Sequence, residues 1–180
     1  MAGDVFLTPR LRLRPLADAD AAPSAALMAE PISRRTGSWR PDNTPGEVLE
    51  RIGRHRQAEA EGRGLMRAVE RAADGALMGW VGVDRLKDPP GRGAIGYWLG
   101  EAFWGRGYGL EAAAAMLEAA WLRLGLEAIE AGIQPDNLAS LAIVRRLGMT
   151  PIGERTTFAS ARQSEEVCLY FEIRRPPASP

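Results

Sequence analysis

The stretch FWGRGYGLEAAAAMLEAAW, Phe103–Trp121, sets the chain's most flexible residues directly against its best helix formers. Gly105, Gly107 and Gly109 alternate, and an alanine-rich run continues from there without proline or glycine as far as Gly125. That run predicts a helix, with Leu110, Ala114, Leu117, Trp121 and Leu124 recurring on one face at helical spacing. The segment before the glycines, AIGYWLG, reads as a strand. A loop between a strand and a helix start gathers backbone N–H groups that have no intrahelical partner. Those groups and the helix dipole attract an anion, and glycine lets its oxygens reach the backbone without a Cβ in the way. Arg106 adds a positive charge. A strained turn without a ligand accounts for alternating glycines equally well.

Two familiar phosphate loops can be compared. A P-loop continues into Gly-Lys-Ser/Thr, whereas this loop ends Gly109-Leu110-Glu111 with no lysine near. A dinucleotide fingerprint counted from Gly105 would need glycine where Leu110 stands. Glu127 and Glu130 fall roughly where a ribose-binding acid would sit, but the segment before the loop is hairpin-like rather than βαβ.

Working outward, RLRLRPL (Arg10–Leu16) alternates strictly and predicts a half-buried strand ended by Pro15. Asp18 can cap a helix to about Met28, and 31–46 reads as loop. Thr44 or Gly46 opens a helix over Glu47–Glu61, stopped by Gly62 and Gly64. LMRAVER and ALMGWVGVDRL are strands around the turn AADGA. After the central helix come a strand at AIEAGI, a helix at NLASLAIVRRLGM closed by Gly148, and a strand at EVCLYFEIRR. The order is β-α-α-β-β-β-α-β-α-β, with a further strand available at TPIGER. This predicts one mixed α/β domain over 1–175, helices packed on a largely antiparallel sheet, and a disordered tail at 176–180.

Composition narrows the chemistry. The 180 residues carry a formal net charge of zero, 46% apolar and 26% charged residues, so no global field recruits nucleic acid or an anionic membrane. Cys168 is the single cysteine, which excludes an internal disulfide and a Cys-based metal cluster; no metal is expected. His55 is the single histidine and lies in RIGRHRQAEAEG, where a solvated surface position is the expectation. Hydrolases built on Ser–His–Asp or Cys–His would have to use that one imidazole. MAGDVFLTPR holds no apolar signal region and no apolar run reaches ~18 residues, so the expected location is cytoplasmic, away from the membrane. A monomer or a homodimer is expected.

AIGYWLGEAFWGRGYGLEAA followed by PDNLASLAIVRRLGM resembles the Gcn5-related N-acetyltransferase (GNAT) superfamily. The closer resemblance is to its ribosomal-protein alanine N-acetyltransferase (RimJ/RimL-like) branch, whose first strand and helix TPRLRLRPLADADA also resembles. It spans Thr8–Arg174. It implies a central twisted sheet of six to seven strands flanked by about four helices. It implies that Trp104, Gly105, Arg106, Gly107, Tyr108, Gly109 and Leu110 hold the pyrophosphate of acetyl-CoA. Gly107 and Gly109 match the family loop directly, with Trp104 in its first position as in this branch. Trp98 and Leu99 are implied to pair with the pantetheine arm through their backbones, and Asn137 to bond it. Arg146 matches a basic position near the CoA phosphates, where a plain surface arginine is the alternative.

The same resemblance makes the Leu99 N–H the candidate donor to the oxyanion of acyl transfer. Leu141 stands where many members have a tyrosine. Ser140, one residue earlier, could donate to the sulfur of the leaving thiolate, or bond its own helix backbone instead. Glu101, Glu154 and Asp84 are candidate bases, with a water relay as the alternative. Trp39, with Arg34, Arg35 and Arg40, lies in the loop that lines the acceptor side in the family; a surface loop with one packed tryptophan is the plain reading. Tyr97 can touch substrate or simply pack. The expected activity is acetyl-CoA-dependent transfer to a primary amine, a protein or peptide N-terminal α-amine before a small-molecule amine. The alternative is a non-catalytic acyl-CoA- or nucleotide-binding module. With His55 read as poorly placed, deprotonating machinery looks absent. That favours an acceptor near pKa 7.7–8.0 over lysine near 10.4, with activity rising through about pH 8.

Overall fold

In the computed structural model, which describes residues 4–28, 30–33, 35–37 and 39–177, the alternation of Arg10–Leu16 becomes a strand that buries one face completely. Leu11 and Leu13 are wholly buried, while Arg14 on the other face bonds Asp20 (2.6 Å) and Glu70 (2.5 Å). Arg34 of the acceptor-side loop and 178–180 of the expected tail lie outside the described residues.

The strands are β1 (Phe6–Leu7), β2 (Leu11–Pro15), β3 (Gly64–Arg71), β4 (Leu77–Arg85), β5 (Arg92–Leu99), β6 (Ala128–Ile133), β7 (Thr150–Ala159) and β8 (Ser164–Arg174). The helices are α1 (Ala21–Leu27), α2 (Glu30–Ser33), α3 (Pro45–Ala60), α4 (Tyr108–Leu124) and α5 (Leu138–Arg146). Among the described residues, eight strands form one sheet in the order β1-β2-β3-β4-β5-β6-β8-β7. Every neighbouring pair is antiparallel except β5–β6. The count exceeds the expected six to seven because two-residue β1 folds back on β2; the strand available at TPIGER forms as the start of β7. The expected loop 31–46 contains most of the four-residue helix α2. Helix α3 starts where a capping box fixes it: Thr44 Oγ1 accepts from the Glu47 N–H (3.2 Å), and Glu47 accepts from the Thr44 N–H (2.7 Å).

The sheet separates two apolar cores. On one face α4 covers β2–β5, with Leu11, Val81, Ile95, Met116 and Ile129 between them. On the other, α1 and α3 bury Trp39, Ile52, Trp80 and Trp98. The expected stripe on α4 needs correction. Leu117, Trp121 and Leu124 are core, but Ala114 faces solvent and Leu110 is half-buried. Ala112, Ala113, Met116, Ala119 and Ala120 are buried instead. The helix crosses several strands and is flanked by α5, so more than a single stripe is covered, and alanines let it lie close.

Strands β4 and β5 pack backbone against backbone at Gly79. Its φ is +155°, beside a bulge in the β3–β4 register, and a Cβ there would drive into the Trp98 carbonyl. Gly96, further along the same strand pair, sees nothing within 4 Å of an added Cβ. Gly79→Ala is therefore expected to cost about 2–4 kcal/mol through strain and overpacking, and Gly96→Ala less than about 1 kcal/mol. Urea denaturation of the two variants checks the difference.

Candidate active site

Parallel strands β5 and β6 pair only at Arg92–Ala128, Gly93–Ile129 and Ala94–Glu130. Beyond that each follows its other neighbour, β5 along β4 as far as Leu99 and β6 along β8 as far as Ile133. A cavity of about 830 Å³ opens between them. The Gly100 N–H donates to the Met78 carbonyl at 2.8 Å. Strand alternation then turns the Trp98 main chain toward β4 as well, and those of Tyr97 and Leu99 toward the opening. The Trp98 main chain, expected to face the pantetheine arm, is thus turned to β4, and the Tyr97 and Leu99 main chains face the opening instead. The Leu99 carbonyl accepts from Trp104 Nε1 at 2.7 Å, which pins the glycine loop to the end of β5.

At the far end of β5 the loop delivers the first turn of α4 to the cavity rim. Gly107 is its N-cap at φ +79°, so the chain enters the helix through a left-handed residue. Gly105, Gly107, Tyr108, Gly109 and Leu110 line the cavity. Arg106 is exposed and outside the lining, but its carbonyl accepts from Arg10 at 2.9 Å. Arg10 also bonds Glu111 (2.7 Å) and lies 4.6 Å over the Tyr108 ring, and Thr8 donates to Glu111 at 2.6 Å. Burial opposes the charge on Glu111, yet these bonds win and hold its carboxyl below the usual range. The approach to β2 thereby clamps the loop. Nothing in the sequence pattern singled out Thr8, Arg10 or Glu111, because the contact joins positions far apart in the chain.

Across the opening, Asn137 caps α5 by accepting the Ser140 N–H at 3.2 Å. Asn137, Ser140 and exposed Arg146 all line the cavity. Among the described residues, the Tyr97 hydroxyl and Trp98 Nε1 are buried without a hydrogen-bond partner. Burial pushes the Tyr97 phenol up to about 12, and the Ser140 hydroxyl beside it acts in the opposite sense without meeting hydrogen-bond geometry. Leu141 is a core residue, 6% exposed.

The α3 side of the cavity is roofed by the α2–α3 loop. Arg162 of the β7–β8 turn holds that loop by donating to the carbonyls of Ser33 (2.6 Å) and Thr36 (3.2 Å), and holds Glu166 down to about 2. Arg35 lies 4.5 Å over the Trp104 ring and lines the cavity; Arg40 instead pairs with Glu47 at 2.7 Å, outside it. Trp39, Trp80 and Trp98 meet edge to face or tilted, with centroids 5.1–5.8 Å apart. His55 corrects the expectation of a solvated surface residue: its ring lies 6.0 Å from Trp80 and lines the cavity. Its helix looks polar in sequence because the other face of α3 is solvated. Glu101 and Glu154 are both exposed and line no part of the cavity, whereas Asp84 does.

The cavity fits an extended ligand with an anion at one end. It offers helix N–H groups at its rim, main-chain groups along β5, and two orphaned donors within. Among the described residues no group of three or more His, Cys, Asp or Glu could hold a metal, and no helix is long and apolar enough to cross a membrane.

Comparison with known proteins gives the family and the fold. The sequence profile of the acetyltransferase (GNAT) domain matches residues 10–150. An uncharacterized N-acetyltransferase, p20, of Bacillus licheniformis is 23% identical over 159 residues, 88% of this chain and 89% of that protein. Mycobacterium smegmatis RimJ, solved with CoA-disulfide, superposes with a TM-score of 0.83 at 20% identity, covering 95% of this chain and 87% of that one. RimL, the ribosomal L7/L12 α-N-protein acetyltransferase solved with coenzyme A, gives 0.82 at 17% identity, covering 95% and 98%. With the profile spanning most of its length and the strand parting and glycine loop in place, the chain belongs to the GNAT acetyltransferase family.

Proposed function

We propose that the protein transfers the acetyl group of acetyl-CoA to the α-amino group of a protein or peptide N-terminus. The observation that carries this is the parting of β5 from β6 next to the N-terminus of α4. The N–H groups opening α4 suit a pyrophosphate. The Tyr97 and Leu99 main chains suit an extended amide-bearing arm, and that arm carries the thioester into the centre of the sheet. There the Leu99 N–H can donate to a carbonyl oxygen as charge builds on it. Holding amine and thioester together supplies several kcal/mol, up to about 7 or more in ideal geometry. The named activity of RimL, acetylation at a protein α-N position, supports the choice of acceptor. The tryptophan-rich lobe would cover an N-terminal side chain while the amine enters.

The leaving thiolate is a weak base, since a thiol's pKa is about 8.5, and needs only a weak acid. Ser140 is the group we assign to it. The Tyr97 hydroxyl behind Ser140 stays protonated at neutral pH because burial raises its pKa.

Two outcomes follow. Given a panel of matched peptides, the protein should release free CoA, with kcat/KM for an α-amine above that for a lysine ε-amine. A binding module would release none, and a lysine preference at pH 7 would overturn the acceptor assignment. Ser140→Ala leaves the Asn137 cap intact, because that bond uses the Ser140 main chain. Steady-state assays should show kcat down by about 10- to 100-fold with acetyl-CoA affinity unchanged. Wild-type turnover would return Ser140 to a purely structural position.

A further inference from the structure

We propose that His55 is the base that takes the proton from the acceptor amine, in a pocket whose floor is the bare backbone of Gly96. The inference rests on the acetyl-transfer reading above and names a residue that reading leaves open.

The pocket follows from strand register. Trp80 faces Trp98, Gly82 faces Gly96 and Asp84 faces Ala94 across β4 and β5. These side chains project on the α3 side of the sheet, so two glycines sit side by side between a pair of indoles and Asp84. The Met66 thioether already fills the space above Gly82. Above Gly96 there is nothing within 4 Å of where a Cβ would stand, and the residue is exposed in mid-strand. Its φ is not in the left-handed region, so the missing side chain answers a need for room rather than for conformation. The gap opens into the cavity that the Tyr97 and Leu99 main chains face from the edge of the same strand.

His55 borders this gap. Its ring stands edge-on to Trp80 (86°), and it lines the cavity with Met66, Trp80, Asp84 and Trp98. The groups facing it are Asp84 from β4 and Arg51 and Arg54 on its own helix. Burial, the largest influence, pushes the imidazole below its ordinary value; Asp84 opposes this, and the two arginines add to it. At neutral pH the ring is therefore uncharged and can accept a proton. Other carboxylates on the cavity are committed: Glu130 is held by Arg155 at 2.6 and 3.1 Å, and Glu166 by Arg162 at 2.5 and 2.6 Å. Asp84 is exposed.

The step balances. A ring nitrogen of His55 takes one proton from the alkylammonium, giving the neutral amine and an imidazolium. The nitrogen lone pair forms the new C–N bond while the C–S bond breaks, its electron pair leaving on sulfur. The proton that nitrogen then sheds neutralises the thiolate by way of Ser140 or water. The imidazolium returns its proton to solvent. A depressed imidazole pKa also fits an α-amine better than a lysine, because each unit of pKa mismatch is a tenfold penalty on proton transfer.

The test is the pH profile of kcat/KM on an α-amine peptide. Wild type should hold a plateau from pH 9 down to the imidazole pKa, below 6.5. His55→Phe keeps the edge contact with Trp80 and should lose the plateau. Its deficit should be roughly tenfold greater at pH 7 than at pH 9, where the α-amine (pKa about 8) is already neutral. Asp84→Asn should move the low-pH limb further down, since Asp84 raises the imidazole pKa. Identical profiles in wild type and His55→Phe would overturn the inference while leaving acetyl transfer standing; a wild type that acetylates no amine would remove both. Activity is not the only readout. As the chain's one histidine, His55 gives a single imidazole signal in the NMR titration of the unliganded protein. Titration below 6.5, with the signal shifting when peptide is added, is the expected result. A solvent-like titration unaffected by peptide would overturn the inference even if His55→Phe failed to fold.

Discussion

The structure depends on β5 and β6 being allowed to part. Three residue pairs hold them together, and after Ala94 and Glu130 each keeps only its antiparallel neighbour. A strand edge inside a sheet normally leaves no unmet N–H or C=O groups, because unpaired ones are costly when buried. Here the edge of β5 opens on a cavity, and part of the cost is met locally by Trp104, whose indole bonds the Leu99 carbonyl. The rest is left for a ligand. The same parting lets a site reach both faces of the sheet: α4 and α5 meet it from one side, α3 and the α2–α3 loop from the other.

Around that gap the charges are arranged to stay out of the way. The formal net charge is zero, and two of the acids lining the cavity, like Glu111 beside it, are paired. Glu130 is held by Arg155, Glu166 by Arg162, and Glu111 by Thr8 and Arg10. Also on the cavity are a phenol raised by burial, a serine hydroxyl and an imidazole lowered by burial, alongside Arg35, Asp84 and Arg146. Such a site suits a reaction in which one proton leaves an amine and another reaches a thiolate.

Much of this was legible in the sequence, and the limits have physical causes. Strict alternation at Arg10–Leu16, Thr44 as a helix opener and the glycine loop before an alanine-rich run are local signals, and each formed the element expected. The clamp of Thr8, Arg10 and Glu111 was not legible, because it exists only once β2 and α4 are adjacent. Ala114 was assigned inward because spacing fixes a face but not how wide a face the neighbours cover. His55 was misplaced for a related reason: seven of the twelve residues in RIGRHRQAEAEG are charged or polar, yet an amphipathic helix needs only one side buried. Glu101 and Glu154 looked eligible by sequence position alone, and their exposure outside the cavity removes them from the chemistry proposed here.

The central claim is that the open edge of β5 and the first turn of α4 bind one acyl-CoA molecule together. Residue-resolved amide hydrogen exchange, with and without acetyl-CoA, tests it most directly. The account predicts slowed exchange at Leu99 and at 108–110 on adding acetyl-CoA, with the amides of Trp98 and Gly100, which face β4, unchanged. Protection absent from Leu99 and the α4 turn, or appearing only elsewhere, would contradict it.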